Sequence, residues 1–363
     1  MSASVAGLRV VGFVNTTDRR GAEVFAHTVL QQLAEQGADG ELWAISPGTG
    51  SQRLDIDHLG GNRFDPRVVR RARELVRSAD VAVAFGGNAL QLAALATAGT
   101  DVPFAYRQIG DPSFWGRVRL ADVRIGRPMR QAAAVVALWE GAGADLIARY
   151  QLDPAQVRVI PNARDGARFE PVGAAERAAA QESLGLDPGT TVAYLGALSW
   201  EKRPADAIRA IAPLPDVQLV LAGDGPLRME LEDLAAEAAP GRVRLTGVVS
   251  DARTVLHAAD VLVCTSATEG MAGCLLEAGL CGVPVVATRV GAAEEVVEDG
   301  VTGVLVDVDD PIAVAQGIMR ALDQREAMAV AARARTVERY SFEHVTPAWG
   351  SLLVELARSR RTS

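Results

Sequence analysis

The sequence predicts an α/β protein built from two Rossmann-like, doubly wound domains, with the cleft between them as the default ligand site. Three observations predict it. The chain has 363 residues, enough for two domains of ordinary size. In both halves short β-branched runs alternate with longer Ala-, Leu- and Glu-rich stretches, the pattern of strand–helix–strand units around a parallel sheet. Between the two series, residues 166–189 carry glycine and proline but no strand.

In the first series Leu8–Val14 reads as a strand. A helix over Glu23–Gln36 follows, with Val24, Leu30 and Leu33 on its apolar face. Val81–Phe85, Pro103–Tyr106, Ala134–Leu138 and Val157–Ile160 read as further strands. A linker is expected at 171–189, dividing a domain at 1–170 from one at 190–340, with a tail at 341–363. The strands of the second series are Thr191–Leu195, Gln218–Leu221, Val243–Leu245, Val261–Cys264, Val283–Ala287 and Gly303–Val306. Its helices include Pro204–Ala212, Leu227–Ala238 and Pro311–Leu322. The last of these has a clear start signal, an Asp310 N-cap followed by proline at the first helical position.

Composition excludes several function classes. No apolar run reaches the roughly 18 residues a membrane span needs. The opening MSASVAGLRVVGFVN lacks a basic stretch before its apolar run, so it reads as a strand rather than a signal peptide, and cytoplasmic residence is the default. Cys264, Cys274 and Cys281 are odd in number and show no metal-type pairing, which suits small buried thiols in a reducing compartment. His27, His58, His257 and His344 are scattered, and no zinc site is expected. The net charge of −8 divides into +2 over residues 1–170 and −10 over 171–363. Neither half is basic enough for a nucleic-acid footprint. Residues 63–130 hold 12 Arg against 6 acidic residues, including a basic helix at Pro66–Arg77 and the mixed stretch Phe114–Leu120. A solvated helix face is the expectation there, ahead of a peripheral membrane-surface or anionic-acceptor contact.

One count is more telling. Of 37 basic residues, 36 are arginine and one is lysine, Lys202. It lies in VAYLGALSWEKRP (Val192–Pro204), where a strand ends at Gly196 and a helix starts near Pro204. Such strand-to-helix loops suit phosphate binding, and an ammonium adds a compact charge that a planar guanidinium does not. The expectation is an exposed lysine with few packing contacts. Next, Leu221–Leu227 (LAGDGPL) runs a strand into Gly-x-Gly, which lets backbone approach a ligand or merely turns tightly. The strongest stretch is Thr265–Pro284 (TSATEGMAGCLLEAGLCGVP). Glu269 stands in a glycine-rich loop after a strand, and Glu277, eight residues on, lies in the first turns of the following helix. Helix-start amides lie between the two carboxylates. Asp55-x-Asp57 and Asp307-x-Asp309 have a metal-binding pattern but read more simply as loop or capping residues, so no metal is required.

Together these motifs resemble the donor-binding domain of retaining GT-B glycosyltransferases, family 4 (glycosyl transferases group 1). The family pattern has Gly-(Arg)-Leu…(Glu)-Lys, then Ala-Gly-x-Gly-Pro-Leu, Gly before an Ala-Asp-Val strand, Ser…Glu-Gly with a second Glu eight residues on, and Gly-x-Pro-Val-Val-Ala. This chain has Gly196, Leu198, Glu201 and Lys202, then Ala222-Gly223-Asp224-Gly225-Pro226-Leu227, Gly247 and Ala259-Asp260-Val261. Ser266, Glu269-Gly270, Glu277-Ala278 and Gly282-Val283-Pro284-Val285-Val286-Ala287 complete the series. In the first half Arg20-Gly21-Ala22-Glu23 is similar to the family's glycine loop. Ile160-Pro161-Asn162-Ala163-Arg164-Asp165 with Phe169 is similar to its Pro-Asn-Gly-Val-Asp…Phe segment. The tail from Tyr340-Ser341-Phe342 resembles a helix that returns to the first domain.

The resemblance implies a metal-independent, retaining transfer from a nucleotide sugar, UDP- or GDP-linked, to an acceptor hydroxyl. It makes Glu269 and Lys202 catalytic, with Lys202 on the diphosphate and Glu269 at the reacting side of the sugar. Glu277 would hold the ribose. Gly21, Gly196, Gly223, Gly270, Met271, Ala272, Gly273, Cys274 and Leu275 would approach phosphate or sugar. Two departures stand out. Ala197 replaces the arginine that often follows the first glycine, with Arg203 as a substitute. Tyr106–Asp111 lacks the usual histidine, with Gln108 or Asp111 in its place. A nucleotide-sugar epimerase and a non-catalytic nucleotide-sugar-binding protein are the alternatives.

Overall fold

A computed structural model describes residues 4–50, 52–112 and 122–362. The chain divides into two units, Met1–Asn162 with Phe342–Ser363, and Ala163–Ser341. The stretch Phe114–Leu120 lies outside the described residues.

The first unit carries a parallel sheet in the order β2-β1-β3-β4-β5-β6. Its strands are β1 (Arg9–Thr16), β2 (Asp39–Ser46), β3 (Val81–Phe85), β4 (Phe104–Arg107), β5 (Ala134–Ala137) and β6 (Val157–Val159). β3, β4 and β5 are buried at every residue, as strands covered on both faces must be. β2 is the strand the sequence reading passed over. Asp39 and Glu41 at its start and its half-exposed edge position deprive it of a continuous apolar run. The helix Phe342–Thr362 belongs to this unit because Trp349, fully buried, packs its ring against Phe85 and Phe25 at centroid distances of 5.8 and 6.3 Å.

The second unit carries a parallel sheet in the order β12-β11-β10-β7-β8-β9. Its strands are β7 (Thr190–Leu195), β8 (Val217–Ala222), β9 (Val243–Gly247), β10 (Val261–Cys264), β11 (Val285–Thr288) and β12 (Gly303–Val306). The chain runs from β7 outward through β8 and β9, then returns to lay β10 against the other side of β7. Strand order therefore reverses between β7 and β10, and open α/β sheets bind ligands at the carboxyl ends of strands at such a point.

The stretch expected as a linker is different. Residues 171–189 contain the helix Ala174–Ser183. Buried Gln181 donates to Thr191 Oγ1 and to the Ala258 carbonyl, and Arg177 pairs with Asp260, so the segment is part of the second unit. The alanine-rich helix reads as polar and glycine-flanked because it buries only one narrow face, at Ala180 and Gln181.

Candidate active site

At the carboxyl ends of β7 and β10 two loops are laced together. The Ala267 amide donates to the Glu201 carbonyl at 2.8 Å, and Thr265 Oγ1 donates to the Arg203 carbonyl at 2.8 Å. Neighbouring loops lock onto the same frame. Thr288 Oγ1 donates to the Ser266 carbonyl at 2.6 Å, and the Leu198 amide donates to the Asp224 carbonyl at 3.0 Å. Glycine is required at two of these contacts. A Cβ on Gly223, whose φ is +147°, would lie well inside 3.0 Å of the Gly196 carbonyl oxygen, and one on Gly225 would strike that of Leu198. Gly196, Gly223 and Gly225 thus bring the β7 and β8 loops together as bare backbone.

Lys202 projects from this frame onto Glu269, with Nζ 2.5 Å from Oε1. The same oxygen accepts the Ser266 hydroxyl at 2.8 Å. The lysine is not the exposed residue expected: its side chain is 28% exposed, and that of Glu269 is 13% exposed. Burial opposes its charge, but the Glu269 carboxylate, through its charge and its hydrogen bond, outweighs burial and raises the ammonium pKa. Lys202 therefore carries a full positive charge at neutral pH. Glu201 turns elsewhere, accepting the Ser199 hydroxyl at 2.7 Å, which lowers its pKa.

The helix Gly273–Leu280 starts four residues beyond Glu269, with Ala272 as an N-cap that makes no side-chain hydrogen bond. Its first-turn amides are the groups a helix cannot satisfy internally, and they face an anion best. Gly270, Met271 and Ala272, all buried, form the approach to it. Beneath the loop, the Cys274 thiol is raised by its hydrogen bond with Cys264 and by burial, which keeps it protonated. Leu275 is buried in the core and offers only its backbone. One turn on, Glu277 Oε1 accepts Arg164 Nε at 2.6 Å. Arg164 lies within the Ile160–Asp165 motif, and the motif alone assigns it no role. Its signal was available: it stands where the Pro-Asn-Gly-Val-Asp pattern has valine.

Arg203, the candidate for the place left by Ala197, is engaged by carboxylates of its own unit. It adopts a left-handed backbone conformation (φ 50°), and its guanidinium pairs with Asp206 at 2.6 Å and with Asp309. Its charge is already met by two carboxylates.

In the first unit Gly21 opens the helix Gly21–Glu35, and a Cβ there would meet nothing within 4 Å. Packing of the chain itself does not demand this glycine. Gln108 is fully buried after β4. Its side-chain amide donates to the Gly110 carbonyl, and its Oε1 has no partner among the described residues. Asp111 follows, partly buried. On the basic helix Pro66–Ser78, Arg71 stacks 4.9 Å over the Trp43 ring and Arg73 donates to the Leu95 carbonyl at 2.8 Å. Part of that charge is spent within the fold. Among the described residues no helix is long and apolar enough to cross a membrane.

Comparison with known proteins covers both units. Residues 19–168 match the family described as Glycosyltransferase Family 4, and residues 189–324 match Glycosyl transferases group 1. The D-inositol 3-phosphate glycosyltransferase of Mycolicibacterium vanbaalenii is 37% identical over 186 residues, covering 46% of this chain and 40% of that protein. The protein of the same name from Salinispora tropica is 36% identical over 238 residues, covering 59% and 49%. The chain thus spans less than half the length of these curated relatives. Among solved structures, HepE of Anabaena in complex with UDP superposes with a TM-score of 0.85 at 20% identity, over 96% of this chain and 100% of that one. The lipopolysaccharide glycosyltransferase WaaG superposes with a TM-score of 0.73 at 17% identity, over 95% and 99%. At those identities the likeness is one of fold.

Proposed function

Since the chain belongs to the glycosyltransferases of GT-B fold, we propose that it moves a sugar from a UDP- or GDP-sugar to an acceptor hydroxyl, with retention of anomeric configuration and without a metal ion. The observation that carries this reading is the Lys202–Glu269 pair at the β7/β10 switch point, beside a helix start with no side-chain cap. The complexes of the Anabaena protein with UDP and UDP-glucose support the donor class.

In this reading the donor diphosphate lies against the amides of Gly273 and Cys274 and against the Lys202 ammonium. Charge grows on the diphosphate as its bond to the anomeric carbon breaks. The lysine and the helix start therefore hold the transition state more tightly than the ground state, which raises the chemical rate. Glu269, fixed by Ser266 and Lys202, faces the reacting side of the sugar. Glu277 accepts the ribose hydroxyls. The acceptor oxygen attacks the face the diphosphate leaves, and a donor phosphate oxygen takes the acceptor proton. The Lys202 charge does the neutralising that a metal ion would otherwise do.

A nucleotide-sugar-binding protein without turnover is the second reading, favoured by Ala197 and by the double pairing of Arg203. One experiment separates the two. Purified protein is incubated with UDP- and GDP-sugars and an acceptor panel that includes an inositol phosphate, with nucleoside diphosphate release followed by chromatography and the product anomer by proton NMR. Release with a retained anomer is expected. Tight binding with no release supports the second reading, and an inverted product removes the retaining assignment.

A further inference from the structure

We infer that Arg164 is a positioning residue for the nucleotide, fixing the Glu277 carboxylate so that the site distinguishes a ribose from a deoxyribose. The inference rests on the donor reading of Glu277 proposed above. The resemblance pattern has valine at this position, so the arginine is a feature of this chain rather than of the motif.

The backbone of Arg164 is pinned first. Its amide donates to the Tyr340 carbonyl at 2.9 Å, and it bridges Ser341 in parallel register. The side chain is then held at two points. Nη1 donates to the Ala163 carbonyl at 3.0 Å, and Nε donates to Glu277 Oε1 at 2.6 Å. Both partners are largely out of water, with side chains 19% and 16% exposed. The guanidinium fits there only because residue 273 is glycine. A Cβ at Gly273 would lie well inside 3.0 Å of Arg164 Nη2. The arginine therefore runs along the first turn of the helix that carries Glu277.

Arg164 holds one oxygen of this carboxylate through Nε, and because the planar guanidinium is itself anchored on the Ala163 carbonyl, that one short bond has a fixed direction and sets which oxygen is engaged. Oε1 is the oxygen held. Oε2 has no hydrogen bond among the described residues, so it is the acceptor left for a ligand hydroxyl. Without Arg164 the carboxylate would keep its charge, lose its orientation and turn toward water. A hydroxyl would then find it no better placed than a water molecule.

The test measures affinities of UDP and GDP and of their 2′- and 3′-deoxy analogues by calorimetry on the whole chain, for the wild type, Arg164→Met, Arg164→Lys and Glu277→Gln. The wild type should prefer the ribonucleotide by about 10-fold or more, the worth of a hydrogen bond to a charged group. In Arg164→Met that ratio should fall to within about 3-fold of one, as it should in Glu277→Gln. Arg164→Lys keeps the charge but cannot span both Glu277 and Ala163, so it should also lose most of the ratio. It serves as the reporter if the methionine variant does not fold. A ratio that stays at the wild-type value in the folded Arg164 variant overturns the inference, even if all affinities drop together, since a purely structural arginine would weaken every nucleotide alike. A wild-type ratio near one overturns the ribose reading of Glu277, and this inference with it.

Discussion

Replacing Lys202 with alanine tests both what holds the site together and what the site does. Lys202 Nζ lies 2.5 Å from Glu269 Oε1, with side chains 28% and 13% exposed. An exposed ion pair contributes about 0–1 kcal/mol, and breaking a fully buried one costs about 3–5 kcal/mol. This pair falls between. Glu269 keeps the Ser266 hydroxyl at 2.8 Å and stays partly hydrated. Lys202→Ala should therefore destabilise the fold by about 1.5–3 kcal/mol, the range for a hydrogen bond to a charged group. Because Glu269 raises the Lys202 pKa, this stabilisation should be fully present below the unfolded-state value of 10.5 and fade as pH climbs through the higher folded value. From pH 6 to 9 the stability gap between variant and wild type should stay flat. Turnover should fall about 100-fold or more, near 2.7 kcal/mol, as for the loss of one transition-state electrostatic partner. Urea unfolding and kinetics under conditions where both proteins are folded separate the two effects. The double variant Lys202→Ala/Glu269→Gln removes the stranded charge, so it should recover most of the stability and none of the turnover. Wild-type turnover by folded Lys202→Ala would refute the phosphate role.

Three further outcomes follow from the same geometry. Glu277→Ala should weaken nucleoside diphosphate binding by about 1–3 kcal/mol in calorimetry, because a ligand hydroxyl loses a charged acceptor; unchanged affinity removes Glu277 from the site. Gly223→Ala forces a Cβ into the Gly196 carbonyl at a φ of +147°, so it should lower the unfolding free energy by about 1–3 kcal/mol and weaken donor binding with it; an unshifted urea midpoint would contradict the close approach of the two loops. EDTA should leave turnover intact; a loss restored by manganese or magnesium would point to an aspartate pair such as Asp55 and Asp57.

Both sheets were legible in the sequence wherever a strand is buried on two faces. Val81–Phe85 and Val261–Cys264 are uninterrupted apolar runs, and the structure has strands at those same residues. β2 was not legible, because an edge strand with Asp39 and Glu41 lacks the pattern of a buried one. The candidate site residues stand out in the sequence as a series of motifs, since strand-to-helix loops with glycines and a lone lysine contrast with an arginine-rich background. The partners of those residues were not. That Lys202 finds Glu269 across 67 residues, and Glu277 finds Arg164 across 113, depends on tertiary packing that no local spacing records. The same reason hid the fate of Arg203, whose second carboxylate, Asp309, lies 106 residues away.

The measurement that bears most directly on the account is release of nucleoside diphosphate from UDP- and GDP-sugars by the purified chain, wild type against Glu269→Gln and Lys202→Ala. The account predicts release by the wild type with at least one donor, a fall of about 100-fold or more in each folded variant, and restoration by neither added magnesium nor manganese. Wild-type rates in both folded variants would contradict it, as would a wild-type protein that neither binds nor cleaves any nucleotide sugar.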